Sequence, residues 1–295
     1  MNRELARTCC LHRLVAGGCV LTTSLFFLGC GDRSPVAAPK TTATSNSPLK
    51  LGDRVTNSIG MELLYIPPGK FTMGSPESEK DRNDDEYPVD VVLSQGFWLG
   101  KHEVTQGEFT KVMGTTPWKG EEYGKEGANF AASYISHDDA AEFCRKLTES
   151  ERKSGRLGAT QAYVLPSEAQ WEYACRGGEP TAYSFGATDA KLGEFAWSAK
   201  NAYGVDEFAH PVGLKKPNPF GLYDMHGNVS EWCRDEYNAH LPGGTNPEVK
   251  GPGKKRVLRG GSWAGLSEYC RSAARNPNPP GNRRLNFGFR VSRIP

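Results

Sequence analysis

The alternation of apolar and polar side chains along the chain predicts short elements separated by long loops. Three segments combine a helical spacing of apolar residues with a capping box, and these predicted helices begin after Thr105, Ser136 and Ser167. Shorter apolar runs predict strands at residues 61–66, 71–73, 89–93, 97–99, 256–258 and 287–291. The remainder is punctuated by glycine and proline, so we expect an irregular, loop-rich α+β fold with small sheets and few short helices.

The composition is that of a folded chain with little net charge. The 295 residues include 34 glycines and 20 prolines, which is more than average but less than in disordered sequences. Basic and acidic side chains nearly balance, with 36 of the former and 34 of the latter. Because nucleic-acid binding requires a strong excess of positive charge, no nucleic-acid partner is expected.

The N-terminal segment resembles the leader of a bacterial lipoprotein. Three arginines precede an apolar run over residues 14–28, which is short for a membrane-spanning helix and is followed by Gly29 and Cys30. We therefore predict a lipoprotein signal peptide over 1–29, lipidation at Cys30, a disordered tether over 30–50 and one domain over 51–295. An ordinary cleaved signal peptide or a membrane stop is the alternative. The expected location is extracytoplasmic and membrane-anchored, in a bacterial periplasm or cell envelope.

The cysteines divide between this leader and the domain. Four of the eight lie in the first 30 residues, and the domain keeps Cys144, Cys175, Cys233 and Cys270. An extracytoplasmic compartment permits disulfides. Signatures of hydrolases and zinc enzymes are missing; for example, no second histidine follows the His102-Glu103 pair at helical spacing. We interpret that pair as polar residues at the end of a strand.

Six motifs follow one another in a specific order. They are FTMG from Phe71, KHEVT from Lys101, LPSEAQWEYACRGG from Leu165, NPFGLYDMHGNVSEW from Asn218, LRGGSW from Leu258 and GFRV from Gly288. Together they resemble the formylglycine-generating enzyme family, also called the sulfatase-modifying factor domain, over nearly all of residues 55–293. The resemblance implies an irregular C-type-lectin-like fold.

The resemblance also implies a chemistry for which one requirement is missing. Catalytic members oxidise a sulfatase cysteine to formylglycine with oxygen and copper, which is held by a Cys-x4-Cys pair after the GGS motif. Counted from Ser262, the two positions are Gly265 and Cys270, and counted from Arg275 neither is a cysteine. Because Cu(I) needs both soft thiolates, copper is not an expected cofactor and Cys270 is only a weak catalytic candidate.

Other family positions are retained to different degrees. Ser262, Arg275 and Asn286 match positions that line the substrate groove, whereas Ser230 replaces the groove tryptophan. The resemblance further implies a disulfide between Cys175 and Cys270. Cys144 and Cys233 are left open between a second bridge and two buried thiols.

A calcium site is implied by the same resemblance. Asp224, Gly227, Val229 and Glu231 match a family site in which two carboxylates and two backbone carbonyls bind the ion. Such hard oxygen ligands suit calcium, and the alternative is an Asx-type turn with a surface glutamate. A second family site near Asn201 is not predicted, because the flanking sequence differs.

These observations support a lipid-anchored, extracytoplasmic domain that is a non-catalytic binding or scaffold module or a maturation factor. Its expected partner is a protein or peptide client or a carbohydrate-like ligand. The alternative is an oxidase that converts a sulfatase cysteine to formylglycine through an altered metal site.

Overall fold

The structure is a computed structural model that describes residues 48–294. The predicted signal peptide, the lipidation site Cys30 and the tether up to residue 47 lie outside the described residues. Among the helices of residues 48–294, none has the length and apolar content needed to cross a lipid bilayer.

Residues 48–294 form short elements joined by long loops, in agreement with the sequence pattern. The α-helices are α1 (Gln106–Met113), α2 (His137–Lys153), α3 (Glu168–Arg176), α4 (Leu192–Phe195) and α5 (Ala199–Ala202), and 3-10 turns cover Asp189–Lys191 and Ser267–Cys270. The strands are β1 (Arg54–Thr56), β2 (Glu62–Ile66), β3 (Gly69–Met73), β4 (Val89–Leu93), β5 (Phe97–Gly100), β6 (Ala162–Val164), β7 (Ser230–Glu236), β8 (Gly244–Thr245), β9 (Arg256–Arg259), β10 (Arg275–Asn278), β11 (Phe287–Gly288) and β12 (Ser292–Ile294).

The three helices predicted from capping boxes are confirmed. In α1 the Thr105 hydroxyl accepts a hydrogen bond from the Glu108 amide at 3.2 Å, and the Glu108 carboxylate accepts one from the Thr105 amide at 2.8 Å. The same reciprocal bonds begin α2 at Ser136 and α3 at Ser167. Because these bonds satisfy amides that the first helical turn leaves free, the start of each helix is determined locally.

The strands assemble into three sheets. An antiparallel five-stranded sheet has the order β1-β2-β5-β12-β6, and a four-stranded sheet has the order β10-β9-β7-β11. The third sheet is β3-β4-β8. Two of the pairings are parallel, β11 with β7 and β8 with β4.

The strand predicted over residues 287–291 is wrong as a single element, because the chain changes sheets within it. Its first part, β11, pairs with β7, and the following β12 pairs with β5 and β6. Between them the Phe289 carbonyl accepts a hydrogen bond from the Val104 amide at 2.9 Å, and Arg290 is fully buried. This crossing brings the loop after β5 next to β7.

Aromatic side chains fill the core between the helices and the sheets. The ring of Phe143 lies 5.9 Å from that of Phe109 and 5.2 Å from that of Phe289, which joins α1 and α2 to the crossing before β12. Trp232 on β7 is fully buried, and its indole N–H donates to the Ile135 carbonyl at 2.8 Å. The core therefore fixes β7, from which the candidate site is built.

Candidate functional site

A pocket of about 200 Å³ lies where the Gly-Gly-Ser loop after β9 meets β10 and the loop before β11. The Asn286 amide donates to the Ser262 hydroxyl at 2.8 Å, and the Ser230 hydroxyl donates to the Gly261 carbonyl at 2.9 Å. Gly261 has a φ of 68°, and a Cβ there would lie 2.6 Å from the Cys270 sulfur. Only glycine therefore allows this loop to turn so closely over Cys270.

The three groove residues predicted from the resemblance come together at this pocket. Ser262, Arg275 and Asn286 all line it. The guanidinium of Arg275, however, donates to the two carboxylate oxygens of Glu168 at 2.7 and 2.9 Å, and its side chain is fully buried. Arg275 thus supports the wall of the pocket without offering its charge to a ligand.

The Cys270 thiol does not line the pocket, which includes Gly265 and Tyr269; its sulfur lies behind Gly261 in the pocket wall. Its sulfur lies 3.6 Å from the Leu266 carbonyl, within an apolar cluster that contains Tyr183. Burial raises the pKa of the Cys270 thiol to about 12. The first expected copper position is Gly265, and the second is the buried Cys270 thiol. These two residues therefore do not provide the two thiolates that copper needs.

The Cys175–Cys270 disulfide implied by the resemblance is not formed in the structure, which has both residues as free thiols. The Cys175 sulfur instead lies 3.8 Å from both ring nitrogens of His226 and 3.7 Å from the Ser272 hydroxyl. The His226 ring bonds the Cys270 carbonyl through Nδ1 at 2.8 Å and accepts a hydrogen bond from the Ser184 amide. The His226 imidazole thus lies beside the Cys175 thiol and connects this thiol to the backbone of Cys270.

All four domain cysteines should therefore resist alkylation in the folded protein. Cys144 and Cys233 are also buried free thiols, and burial raises the pKa of each of the four. Because the thiolate is the reactive form, iodoacetamide at pH 8 should modify none of these cysteines natively and all four in guanidinium. Peptide mass spectrometry provides the measurement. A disulfide-linked peptide that contains Cys175 and Cys270 would contradict the expectation.

The four residues of the predicted calcium site lie at the turn before β7 and on β7 itself. Asp224 has a φ of 60°, and its Oδ2 accepts a hydrogen bond from the Gly213 amide at 2.7 Å. The other oxygen, Oδ1, is buried and has no hydrogen-bond partner within residues 48–294. A Cβ at Gly227 would lie 2.1 Å from the Trp197 carbonyl oxygen, so the turn requires glycine at that position.

Both carboxylate oxygens of Glu231, the second predicted carboxylate ligand, already accept hydrogen bonds. Arg290 donates to its two oxygens at 2.6 Å each, and the Trp171 indole donates at 2.8 Å. Glu231 and Arg290 are both fully buried. Glu231 is therefore not the surface glutamate of the alternative interpretation, but part of a buried ion pair.

A third buried carboxylate, Glu103, was missed as a site residue in the sequence. It lies in the loop after β5, is fully buried, and neither of its oxygens has a hydrogen-bond partner within residues 48–294. Burial and the neighbouring Asp224 carboxylate raise its pKa well above the usual range. In the sequence, Glu103 is the acidic residue of the KHEVT motif. There we interpret it, together with His102, as a polar pair at the end of a strand.

The described part of the chain does not contain a preformed metal cluster of the usual side chains. Across residues 48–294, no group of three or more His, Cys, Asp or Glu side chains is placed to hold a metal ion. Any cation at Asp224 would therefore be bound by at most two such side chains together with backbone oxygens or water. That composition is common for calcium and unusual for zinc or copper.

The fold and pocket define a loop-rich domain of the C-type-lectin-like class. A family model described as "Sulfatase-modifying factor enzyme 1-like domain" matches residues 52–294, and the chain belongs to this formylglycine-generating enzyme family.

Solved structures and sequence relatives support this assignment. PvdO from Pseudomonas aeruginosa superposes with a TM-score of 0.73 at 28% identity, covering 84% of this chain and all of PvdO. Treponema denticola variable protein 1 gives a TM-score of 0.71 at 28% identity, with 82% of this chain and 99% of that protein covered. The mouse formylglycine-generating enzyme is 29% identical over 88% of this chain and 82% of the enzyme.

Two further relatives have other names. The serine/threonine-protein kinase Pkn1 of Chlamydia pneumoniae is 31% identical over 79% of this chain, but the chain spans only 38% of the length of that kinase. The chaperone protein LppX of Paenibacillus barcinonensis is 28% identical over 70% of this chain and 80% of the chaperone. The family domain thus occurs in proteins with different named activities.

Proposed function

We propose that this protein is a lipid-anchored, extracytoplasmic member of the family that binds a protein or peptide client without oxidising it. The observation that carries the proposal is the pocket itself, which contains Gly265 where the first copper cysteine is expected and from which Gly261 separates the buried Cys270 thiol. Without a thiolate pair, the surface keeps the shape of a substrate groove but lacks the group that oxidises the substrate.

The rim of the pocket has the properties of a peptide-binding surface. Tyr269 lines the pocket and its side chain is 52% exposed, and Leu266, which follows the lining residue Gly265 in the chain, is 56% exposed. Exposed apolar side chains beside a pocket are typical of interaction sites. The polar lining of Ser230, Ser262 and Asn286 offers hydroxyl and amide groups for hydrogen bonds to a client backbone.

A role in the maturation of client proteins extends this proposal. The relatives include a formylglycine-generating enzyme and a protein named a chaperone. Anchoring rests on the leader pattern and on Cys30, which would hold the domain at the envelope membrane through the tether. We place the protein in a bacterial periplasm or cell envelope on this basis.

Calcium is the cofactor that we propose for the turn before β7. The free Oδ1 of Asp224 and the backbone carbonyls of Gly227 and Val229 would hold it, whereas Glu231 is bonded to Arg290. The ion would neutralise buried negative charge and stabilise the turn, and it has no part in redox chemistry. The residues present do not fit copper.

Filling the pocket should weaken client binding and leave the fold intact. Ala264 lines the pocket and is exposed, so Ala264→Trp adds bulk without disturbing the core. With a fluorescein-labelled Cys-x-Pro-x-Arg peptide, we expect fluorescence anisotropy to show a loss of affinity of about tenfold or more, equivalent to about 1.4 kcal/mol.

The matched control is Ala159→Trp, which places the same side chain at an exposed alanine outside the pocket. It should bind the peptide as the wild type does. Equal binding by both variants would show that the pocket is not the client site. A simple sugar that displaces the peptide would favour a carbohydrate-like ligand.

A further inference from the structure

Strand β3 lies at the end of the three-stranded sheet β3-β4-β8. One side of β3 pairs with β4, and no other backbone–backbone hydrogen bond within residues 48–294 involves Lys70, Phe71 or Thr72. An edge strand of this kind has a row of main-chain N–H and C=O groups that can pair with another extended chain. Several classes of peptide-binding domain add their ligand to such an edge as a further strand.

A groove of about 360 Å³ borders β3, and Lys70, Phe71 and Thr72 all line it. Successive side chains of a strand point to opposite faces of the sheet. Three consecutive lining residues therefore place this groove, called here the edge groove, at the edge of β3 and not on one face of the sheet. Its other lining residues include Tyr173 and Pro180, from α3 and the loop that follows α3.

The edge groove has an apolar surface beside the strand. The rings of Phe71 and Tyr173 lie 5.4 Å apart. Three prolines add to the apolar lining, and these are Pro76, Pro88 and Pro180. Because directly opposite residues of paired strands share a face, an apolar side chain opposite Phe71 would be removed from water in this groove.

Arg176 holds the edge groove in shape. Its guanidinium donates to the Gly74 carbonyl at 2.6 Å and to the Thr181 carbonyl at 3.1 Å, which joins the end of β3 to the loop after α3. Its charge is paired with Glu172, and the Arg176 side chain is only 4% exposed. The groove is therefore preformed, so binding a peptide requires little ordering of the protein.

Lys70 gives the edge a positive charge that is available to a partner. Its side chain is exposed, and the lysines that form ion pairs within residues 48–294 are all others. Opposite charges directly across two paired strands stabilise the pairing. A carboxylate at the position opposite Lys70 is therefore favoured.

We propose that the free edge of β3 binds an extended peptide segment of a partner protein, in which acidic residues flank an apolar residue. The segment adds to the sheet as a fourth strand. Its apolar side chain packs against Phe71 and Tyr173, and a carboxylate faces Lys70. The edge groove shares no lining residue with the pocket at the Gly-Gly-Ser loop, so this site is independent of client binding there.

The peptide Val-Glu-Phe-Glu-Val tests the proposal on the full mature chain. Its order of side chains is the same in parallel and antiparallel pairing. We expect saturating peptide to slow hydrogen–deuterium exchange of residues 69–73 by about fivefold or more. Strand pairing uses the N–H groups of alternate residues. Of two fluorescein-labelled forms N-methylated at both glutamates or at the phenylalanine, one should therefore bind about tenfold more weakly in fluorescence anisotropy and the other normally.

Charge reversal at the edge gives a second readout. Lys70→Glu should weaken binding of Val-Glu-Phe-Glu-Val by about fivefold and strengthen binding of Val-Lys-Phe-Lys-Val. Lys119→Glu is the matched control, because Lys119 is exposed and lies outside the edge groove. It should bind both peptides as the wild type does, and so should Ala264→Trp, which alters only the other pocket.

Three outcomes would overturn the proposal. The first is exchange of residues 69–73 that the peptide does not slow. The second is an equal effect of N-methylation at both sets of positions, or an equal effect of Lys70→Glu and Lys119→Glu. The third is protection of residues 69–73 that increases with protein concentration in the absence of peptide, which would assign the edge to a second copy of this chain.

Discussion

Replacing Glu172 by glutamine should destabilise the protein by about 3–5 kcal/mol, because it breaks a buried ion network at the centre of the domain. Glu172 on α3 is fully buried. Its Oε1 accepts hydrogen bonds from the Gly74 amide at 2.8 Å and from Arg176 at 2.8 and 2.9 Å, and its Oε2 pairs with Arg259. Glutamine would leave the buried Arg176 guanidinium without the carboxylate that it pairs with, and would leave Arg259 with only the Glu168 carboxylate, 3.6 Å away.

The effect should be large because Arg259 also organises the chain that forms the pocket wall. Its guanidinium donates to the carbonyls of Ser272, Ala273 and Ala274 at 2.6–2.9 Å. Loss of the Glu172 partner therefore weakens the link between α3 and the segment before β10. In a thermal melt we expect a decrease in Tm of about 10 °C.

Glu149→Gln provides the control, since it removes an ion pair of the same kind from an exposed position on α2. Glu149 pairs with Arg145 across one helical turn, and both side chains are about half exposed. Exposed pairs contribute little to stability, so the Tm should barely change. Equal melting of the Glu172→Gln and Glu149→Gln variants would show that the buried network does not hold the fold together.

The helices could be predicted from the sequence because the signals that begin them are local. Each capping box joins residues three positions apart, so α1, α2 and α3 follow from neighbouring residues alone. Strand β7 was missed because its sequence, SEWCRDE, is largely polar, yet most of its side chains are buried. Its Glu231 is paired with Arg290, which lies 59 residues further along the chain. The residues near Glu231 in the sequence do not indicate this partner.

The candidate site could be predicted only in part for the same reason. The family resemblance brought Ser262 and Asn286 together, and the structure joins them by a hydrogen bond. It did not show that Arg275 turns to Glu168, which lies 107 residues earlier. Nor did it show that Glu103 is fully buried, because burial depends on how the loop after β5 crosses the last strands.

For the cysteines, the sequence alone predicts the loss of the copper pair, but the surroundings of each thiol are seen only in the structure. The missing Cys-x4-Cys pair follows directly from the sequence, in which Gly265 is the first of the two positions. The structure has Cys175 as a free thiol beside the His226 ring, a neighbour that no spacing between cysteines reveals.

Formylglycine formation should be absent even when the missing cysteine is restored. The first copper position is Gly265 in the pocket wall, and the thiol of Cys270 points into the apolar cluster around Tyr183. We therefore expect neither the wild type nor a Gly265→Cys variant to oxidise a substrate cysteine, because in neither do two thiolates face the same space. The rate of aldehyde formation by both proteins should lie below the detection limit of an assay in which a catalytic family member is active.

The most direct test of the account is mass spectrometry of a sulfatase-type Cys-x-Pro-x-Arg peptide after incubation with the purified mature protein, Cu(I) and oxygen. The mouse formylglycine-generating enzyme, treated in the same way, serves as the positive control. We predict that the peptide cysteine stays a thiol or forms disulfides, and that the aldehyde mass does not appear. Robust, repeated conversion to the aldehyde by this protein would contradict the non-catalytic assignment.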